Sequence, residues 1–292
     1  MRLASGLLPA ASTNLRRRTR AGLVIALALA LAACAQPGGP LQIDRSITAT
    51  SQSSRVQFIV LHYTVSPRAR ALALLSKGEV SSHYLITDES PPKVYQLVDE
   101  SRSAWHAGES AWRGRTWLNA TSVGIEVVNP GYTRREDGSL QWHPYSPAQI
   151  DAVIELVRGI AARHGVAPEN VVGHSDIAPQ RKQDPGPLFP WKRLADSGLA
   201  RWYDEAALAA HRYRFQRDGT PPIGWFQREL ARVGYTVPQH GELDEPTVNV
   251  LKALQMRYRP QNIDGQPDLE TAAILAALSD RPADAPATRN AQ

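Results

Sequence analysis

A stretch rich in glycine and proline at residues 173–191, GHSDIAPQRKQDPGPLFPW, carries the side chains best suited to chemistry. It places His174 ten residues before Asp184, with Asp176 and Lys182 between them. Irregular backbone that holds polar groups is typical of a functional site. Because a proline follows Asp184, this residue is expected to be extended, so that Lys182 and Asp184 face one cleft.

Two apolar stretches elsewhere each carry one polar side chain that can join this segment. His62 lies near the carboxyl end of a β-branched and aromatic run at residues 55–64, which is typical of a buried strand. Glu126 interrupts a second apolar strand at residues 122–129, and a buried carboxylate needs a partner or a function. The alternatives are a hydrogen-bonded core histidine and a glutamate that faces solvent on an edge strand.

Five residues supply the groups of a zinc hydrolase: His62, Glu126, His174, Lys182 and Asp184. Two imidazoles and one carboxylate can hold zinc with an open fourth position, which lowers the pKa of bound water to about 7. Glu126 can then accept the proton of the attacking water, and Lys182 can offset the charge of the oxyanion. Cobalt or nickel would suit the same ligands, and spacing alone does not show that the five residues meet.

The elements around these residues mix strands and helices. Further strands are predicted at residues 81–87 and 93–98, and helices at residues 68–77 and 199–213. The clearest helix has Ser146 as its cap and Pro147 at its first position, and it stops at Gly165. This order predicts an α/β (α+β) domain with a central mixed β-sheet flanked by helices.

An internal repeat marks a second, smaller domain. Residues 241–254 match residues 265–278 at 6 of 14 positions, with an offset of 24. Asp244 and Asp268 can each cap a helix in its copy of the repeat. Together with a helix at residues 223–233, the two copies predict a small C-terminal three-helix domain.

The N-terminus has the pattern of an export signal. The first 33 residues hold five arginines and no acid, and the rest of the chain has 28 basic and 28 acidic residues. The net charge of +5 therefore gives no support for a nucleic-acid partner. An apolar run ends in LAAC at residues 31–34, which resembles the lipobox of a bacterial lipoprotein. Cys34, the only cysteine, is the predicted lipidated residue, although an ordinary cleavage site beside a free cysteine is the alternative.

Three tryptophans lie within thirteen residues: Trp105, Trp112 and Trp117. Their rings either plug a loop against the core or line a groove in which they stack on sugar or peptide. His83 and His106, on either side of Trp105 in the chain, are rivals for metal binding.

The motifs VLHYT, SSHYLI, WHAG, SVGIEVVN and the whole segment 173–191 resemble the zinc-dependent N-acetylmuramoyl-L-alanine amidases of the amidase_2 family, over roughly residues 40–200. The resemblance implies hydrolysis of the amide that joins N-acetylmuramic acid, including its 1,6-anhydro form, to L-alanine of the peptidoglycan stem peptide, in cell-wall turnover or recycling. It implies one zinc ion per chain. The implied site residues are the ligands His62, His174 and Asp184 and the catalytic residues Glu126 and Lys182.

The resemblance also bears on the remaining candidates. In this family neither His83 nor His106 is a ligand, and we expect His106 and Trp105 to border the substrate and His83 to be structural or groove-lining. Some relatives carry a catalytic tyrosine at the position of Ser82, and its absence here agrees with Glu126 acting instead. Recognition proteins of the same fold bind peptidoglycan without cutting it, but they typically lack one of the metal ligands. A soluble phage-type lytic enzyme would not need the lipobox.

The C-terminal residues 222–279 are similar to a three-helix peptidoglycan-binding domain. The match keeps the segment 263–265 and Thr271 but departs at Pro267 and Asp268, so that wall binding and simple packing both remain open. The predicted organisation is a signal peptide (1–33), a tether (34–54), the amidase domain (55–213), a linker (214–221), the helical domain (222–279) and a disordered tail (280–292). We expect a monomer, anchored through lipid on Cys34 to the periplasmic side of the outer membrane, with peptidoglycan and muropeptides as partners.

Overall fold

The computed structural model describes residues 41–280. Residues 41–52 belong to a unit of their own, in which these residues are exposed and form no helix or strand. The predicted signal peptide, Cys34 and residues 281–292 of the predicted tail lie outside the described residues. None of the helices between residues 41 and 280 combines the length and the apolar character that a membrane span requires.

Nine strands lie in the described part of the chain: β1 (Phe58–Tyr63), β2 (Tyr84–Ile86), β3 (Val94–Gln96), β4 (Ala111–Trp112), β5 (Arg115–Thr116), β6 (Ser122–Val127), β7 (Tyr132–Arg134), β8 (Leu140–Trp142) and β9 (Val171–Gly173). Five of them form the central sheet in the order β3, β2, β6, β1, β9, and the other four form two hairpins. In the central sheet β2, β6, β1 and β9 run parallel, and β3 is antiparallel. This confirms the predicted mixed sheet, and it shows that the edge-strand alternative for Glu126 is wrong, because β6 lies between β2 and β1.

The helices are α1 (Arg68–Lys77), α2 (Pro147–His164), α3 (His174–Ile177), α4 (Trp191–Asp196), α5 (Glu205–Asp218), α6 (Ile223–Val233), α7 (Glu245–Tyr258) and α8 (Leu269–Ser279). Helix α2 begins and ends where the sequence predicts. Ser146 accepts a hydrogen bond from the Gln149 backbone in a capping box, and Gly165 takes the left-handed conformation at the other end, with φ of 69°.

The apolar face of α2 packs on one side of the central sheet. Its buried residues Ile150, Val153, Ile154, Val157 and Ile160 share a cluster with Ile59, Leu61, Val123 and Ile125. Each fully buried side chain of this kind contributes about 1.5–3 kcal/mol to folding. Because side chains alternate along a strand, the face of β1 that is opposite to Ile59 and Leu61 carries His62.

Helix α5 differs from its prediction at residues 199–213. It begins at Glu205, because Asp204 accepts a hydrogen bond from the backbone of Ala207 and so caps the helix. It runs on to Asp218, into the predicted linker at 214–221, and buries Phe215. Most of that linker is therefore helical.

The C-terminal helices α6, α7 and α8 confirm the predicted three-helix domain. Asp244 and Asp268 cap α7 and α8 as expected, by accepting hydrogen bonds from Thr247 and Thr271. The two copies of the repeat are held alike by a glutamine that the motif did not reveal. Gln227 binds the backbone of Gly241 and the hydroxyl of Thr247, and Gln255 binds Gly265 and Thr271 in the same way.

Glu100 joins the β2 strand to the end of α2 and provides a test of this packing. Its carboxylate accepts hydrogen bonds from Tyr84 at 2.6 Å, Arg163 at 2.6 Å and His164 at 2.7 Å. Burial alone would raise the pKa of Glu100, but these bonds, led by that of Arg163, lower it to about 2.

We expect Glu100→Gln to lower the free energy of unfolding at pH 7, because it removes the charge that pairs with Arg163. The loss should be only about 1 kcal/mol, because Arg163 is half exposed and solvent weakens this ion pair. A lowered folded-state pKa stabilises the protein above the unfolded-state pKa, and this contribution disappears as the pH falls from about 4.5 to about 2. Urea denaturation at several pH values measures it. Glu155→Gln, on the exposed face of α2, is the control. An equal loss of stability in the variant at pH 7 and pH 2 would contradict the assignment.

Candidate active site

Three neighbouring parallel strands end at one edge of the sheet, and each brings a predicted site residue there. His62 and Glu126 are the penultimate residues of β1 and β6, and they are paired in register. His174 directly follows β9, whose last residue, Gly173, pairs with Leu61. Since sites in parallel sheets form at the carboxyl ends of the strands, the topology itself gathers these side chains.

His62, His174 and Asp184 form the one candidate metal cluster in residues 41–280. The two Nδ1 atoms are 3.0 Å apart, and Asp184 Oδ2 lies 2.9 Å from that of His62 and 3.0 Å from that of His174. Around a tetrahedral zinc ion with bonds of about 2.0–2.1 Å, ligand atoms are about 3.3 Å apart. Both the donor set and its spacing therefore fit zinc, with a fourth position left for water or substrate.

Hydrogen bonds behind the cluster fix which nitrogen of each imidazole faces it. His174 Nε2 donates to the carbonyl of Ala107 at 3.1 Å, which leaves its Nδ1 lone pair toward the cluster. For His62 the support is a chain of bonds. Ser122 donates its hydroxyl to the Leu118 carbonyl at 2.6 Å and accepts from His106 Nε2 at 3.1 Å. His106 Nδ1 is thereby left to accept from His62 Nε2, 3.1 Å away.

Two glycines allow the backbone to approach closely enough for this arrangement. A Cβ atom on Gly173 would lie 2.7 Å from Cδ of Pro185, the residue after Asp184. A Cβ atom on Gly124 would lie 2.5 Å from the His106 ring. Real Cβ atoms essentially never come so close to other atoms, so a larger residue at either position would displace a ligand or its support.

Burial and mutual contact set the charges of the cluster. Burial lowers the pKa of His62 to about 4, with His174 adding to the effect, so this imidazole is neutral at pH 7. Burial alone would raise the pKa of Asp184, but the contacts with His174 and His62 hold it well below its usual value. A neutral imidazole and an ionised carboxylate are the forms in which these groups bind metals.

Glu126 and Lys182 stand beside the cluster. Burial, followed by the charge of Asp184, raises the pKa of Glu126 well above its usual value, and Lys182 opposes this. Among the described residues, nothing forms a hydrogen bond with the buried Oε2 atom of Glu126. Lys182 lies two residues before Asp184, and its charge adds a small part to the lowering of the His62 pKa, which is caused mainly by burial. A carboxylate of raised pKa with a free oxygen is suited to accept a proton from water.

The histidine and the tryptophans of the loop before β6 differ in burial. His106 is buried, and both of its ring nitrogens are engaged, so it supports His62; that it also borders the substrate stays a prediction. Trp105 and Trp117 are 60% and 62% exposed, whereas Trp112 is buried. Trp112 therefore packs against the core, whereas Trp105 and Trp117 are free to line a groove. Substrate contact by Trp105 stays a prediction.

The other polar candidates are structural in this arrangement. His83 is buried, and its Nδ1 accepts a hydrogen bond from the Gly124 backbone. Asp176 is buried away from the cluster, where its carboxylate accepts a hydrogen bond from the Gly173 backbone. Sequence reasoning missed the support from Ser122, because no local pattern distinguishes this serine from any other at the start of a strand.

Comparison with known proteins gives a consistent assignment. Residues 52–187 match the N-acetylmuramoyl-L-alanine amidase family, and residues 220–275 match a family of peptidoglycan binding domains. The chain is 42% identical to the N-acetylmuramoyl-L-alanine amidase AmiD of Escherichia coli (strain K12) over 273 residues, which cover 88% of this chain and 96% of that protein.

Two solved structures resemble the whole fold. AmpDh3 from Pseudomonas aeruginosa, in complex with anhydromuramic pentapeptide, has a TM-score of 0.76 and 42% identity, covering 82% of this chain and 98% of that one. AmiD from E. coli, in complex with the substrate anhydro-N-acetylmuramic acid-L-Ala-D-γ-Glu-L-Lys, has a TM-score of 0.74 and 40% identity, covering 83% and 96%. The chain therefore belongs to the N-acetylmuramoyl-L-alanine amidase family and is an amidase of the peptidoglycan type.

Proposed function

We propose that this amidase depends on zinc and cleaves the bond between the lactyl group of N-acetylmuramic acid and L-alanine of the stem peptide, with the 1,6-anhydro sugar among its substrates. The observation that carries the proposal is the buried triangle of His62, His174 and Asp184 with Glu126 beside it. The anhydromuramyl peptides bound to AmpDh3 and AmiD support the choice of substrate.

The residues around the triangle have complementary tasks. Zinc, when held by His62, His174 and Asp184, supplies a Lewis acid that polarises the carbonyl and lowers the pKa of a water. Glu126 accepts a proton from the attacking water through its free oxygen, and then delivers that proton to the departing nitrogen of L-alanine. Lys182 offsets the negative charge that develops on the carbonyl oxygen during attack.

The site of action is proposed to be the periplasmic face of the outer membrane, where turnover or recycling of the wall supplies the substrate. The support is the lipobox at residues 31–34, with Cys34 as the lipidated residue, and Ala35 in the place where an aspartate would retain a lipoprotein at the inner membrane. The match of residues 220–275 to peptidoglycan binding domains supports peptidoglycan as the partner.

The catalytic proposal predicts that the protein without residues 1–34 releases stem peptides beginning with L-alanine from muropeptides. A chelator should abolish the release and added zinc should restore it. Glu126→Gln should lower kcat by about 100-fold or more, because the proton acceptor is lost, while one zinc per chain is retained. Mass spectrometry of the products and of the metal content measures both. Glu155→Gln, an exposed glutamate, is the matched control.

Two outcomes would contradict this mechanism. Full activity in Glu126→Gln would remove the proposed base. Binding of wall material by the wild type without any cleavage would favour a recognition protein over an enzyme at this site.

The anchoring proposal predicts that cells fed a labelled fatty acid incorporate it into the wild-type protein, which fractionates with the outer membrane. Cys34→Ala should lose the label, because it removes the thiol that is acylated. Ala35→Asp should keep the label but move the protein to the inner membrane, and so serves as the matched control for lipidation. A labelled Cys34→Ala protein would refute the assignment.

A further inference from the structure

Asp176 links the metal site to the C-terminal domain. Its side chain lies in α3, two residues after the ligand His174, and is 1% exposed. Its Oδ2 atom accepts hydrogen bonds from the Gly173 backbone at 2.8 Å and from Arg257 at 2.7 Å. Its Oδ1 atom accepts from the hydroxyl of Tyr235 at 2.7 Å. The turn that carries His174 is therefore closed by a carboxylate that two residues of another domain hold.

Arg257 contacts three segments close to His174 in the chain, namely β9, α3 and α4. It belongs to α7, its side chain is 3% exposed, and a second nitrogen donates to the Val171 carbonyl of β9 at 3.2 Å. Its guanidinium carbon lies 4.0 Å from the centre of the Trp191 ring, at the start of α4. The charge is thus paired and stacked, and two of its three nitrogens donate hydrogen bonds, whereas Nε has no hydrogen-bond partner among the described residues.

Tyr235 completes the contact from the segment after α6. It is buried, and its ring packs edge-on against Trp112 at 4.9 Å. The hydroxyl adds one directed bond to Asp176. Apolar packing alone could hold the two domains together. The buried ion pair of Arg257 and Asp176 at the base of the turn that carries His174 therefore points to a role other than domain packing.

We propose that Arg257 and Tyr235 are positioning residues for the metal site. They hold Asp176, which holds the Gly173 backbone, and so fix the turn from which His174 reaches the cluster. The C-terminal domain is then a part of the catalytic unit. The inference rests on the proposed zinc dependence of the enzyme.

In the mature full chain, we expect Tyr235→Phe and Arg257→Met to raise the zinc Kd about 10-fold or more, as loss of a group that orients a ligand usually does. Competition with a chromophoric chelator measures it, at a temperature where circular dichroism shows every variant folded. Tyr235→Phe removes a single hydroxyl, so it still tests the proposal if Arg257→Met fails to fold. Arg232→Met is the matched control, because Arg232 is exposed and pairs with Glu229 inside its own domain.

Arg257→Lys should recover part of the lost zinc affinity, since it keeps the charge opposite Asp176. If the variants lower only the Tm of the zinc-free protein and leave the zinc Kd at the wild-type value, the contact serves packing alone and the proposal is wrong. A wild-type protein that binds no zinc would instead refute the proposed function.

A second feature of α7 stands apart from this contact. A cavity of about 180 Å³ lies between the Lys182 loop, the β7–β8 hairpin and α7, with Trp142, Lys182, Asn249, Lys252 and Met256 among its lining residues. Lys182 and Lys252 are both half-buried, and no carboxylate lines the cavity in the described part of the chain. Neither ammonium group has an ion-pair partner among the described residues.

The cavity has the chemistry to receive a carboxylate on an aliphatic stem. Two cations face it, while Trp142 and Met256 supply apolar walls. We infer that it binds an acidic residue of the stem peptide, with Lys252 as the residue that selects the charge. This inference also rests on the proposed function, since it concerns the part of the substrate beyond the cleaved bond.

For a muropeptide with a γ-linked glutamate, we expect Lys252→Met to raise KM about 10-fold and to change kcat less than twofold. For the same muropeptide with its α-carboxylate converted to an amide, wild type and variant should have equal KM. Lys192→Met is the control, because Lys192 is exposed and pairs with Asp196. An equal rise in KM for both peptides, or none for either, would overturn the inference. A wild type that cleaves neither peptide would refute the proposed function.

Discussion

The site depends on one constraint, which is that three electron-pair donors must meet within 3.0 Å of one another in a buried place. Two of them come from the ends of the adjacent parallel strands β1 and β9, whose register is fixed by backbone hydrogen bonds. The third, Asp184, arrives on a loop that approaches only because Gly173 has no side chain. Strand register and one close contact thus determine the geometry before any metal is considered.

Such a cluster is costly on its own, because neighbouring lone pairs repel and a buried carboxylate loses its hydration. The surrounding residues meet this cost with directed contacts. The Ala107 carbonyl orients one imidazole, and the chain from His106 through Ser122 orients the other. A cation that enters finds its ligands already in the required form, so little reorganisation opposes binding.

Features set by contacts between residues close in the chain could be predicted from the sequence, whereas those set by distant residues could not. Caps at Ser146, Asp244 and Asp268 join residues three apart, so the sequence alone predicted α2, α7 and α8. The start of α5 was placed six residues too early: Asp204 caps the helix, and Trp202, which precedes this cap, packs on Tyr258 from a distant part of the chain. The support given by His106 to His62, 44 residues away, is likewise a tertiary contact that no local pattern encodes.

Two helices of the C-terminal domain, α6 and α7, share one glutamine contact but form different ion pairs. Gln227 and Gln255 occupy matching places, since each binds the glycine and the threonine of the copy that follows. Two residues after each glutamine the similarity ends: Glu229 pairs with Arg232 inside the domain, whereas Arg257 pairs with Asp176 outside it. Both side chains are buried, so a positive charge in place of a negative one goes with a contact to the turn that carries His174 in place of a contact within the domain.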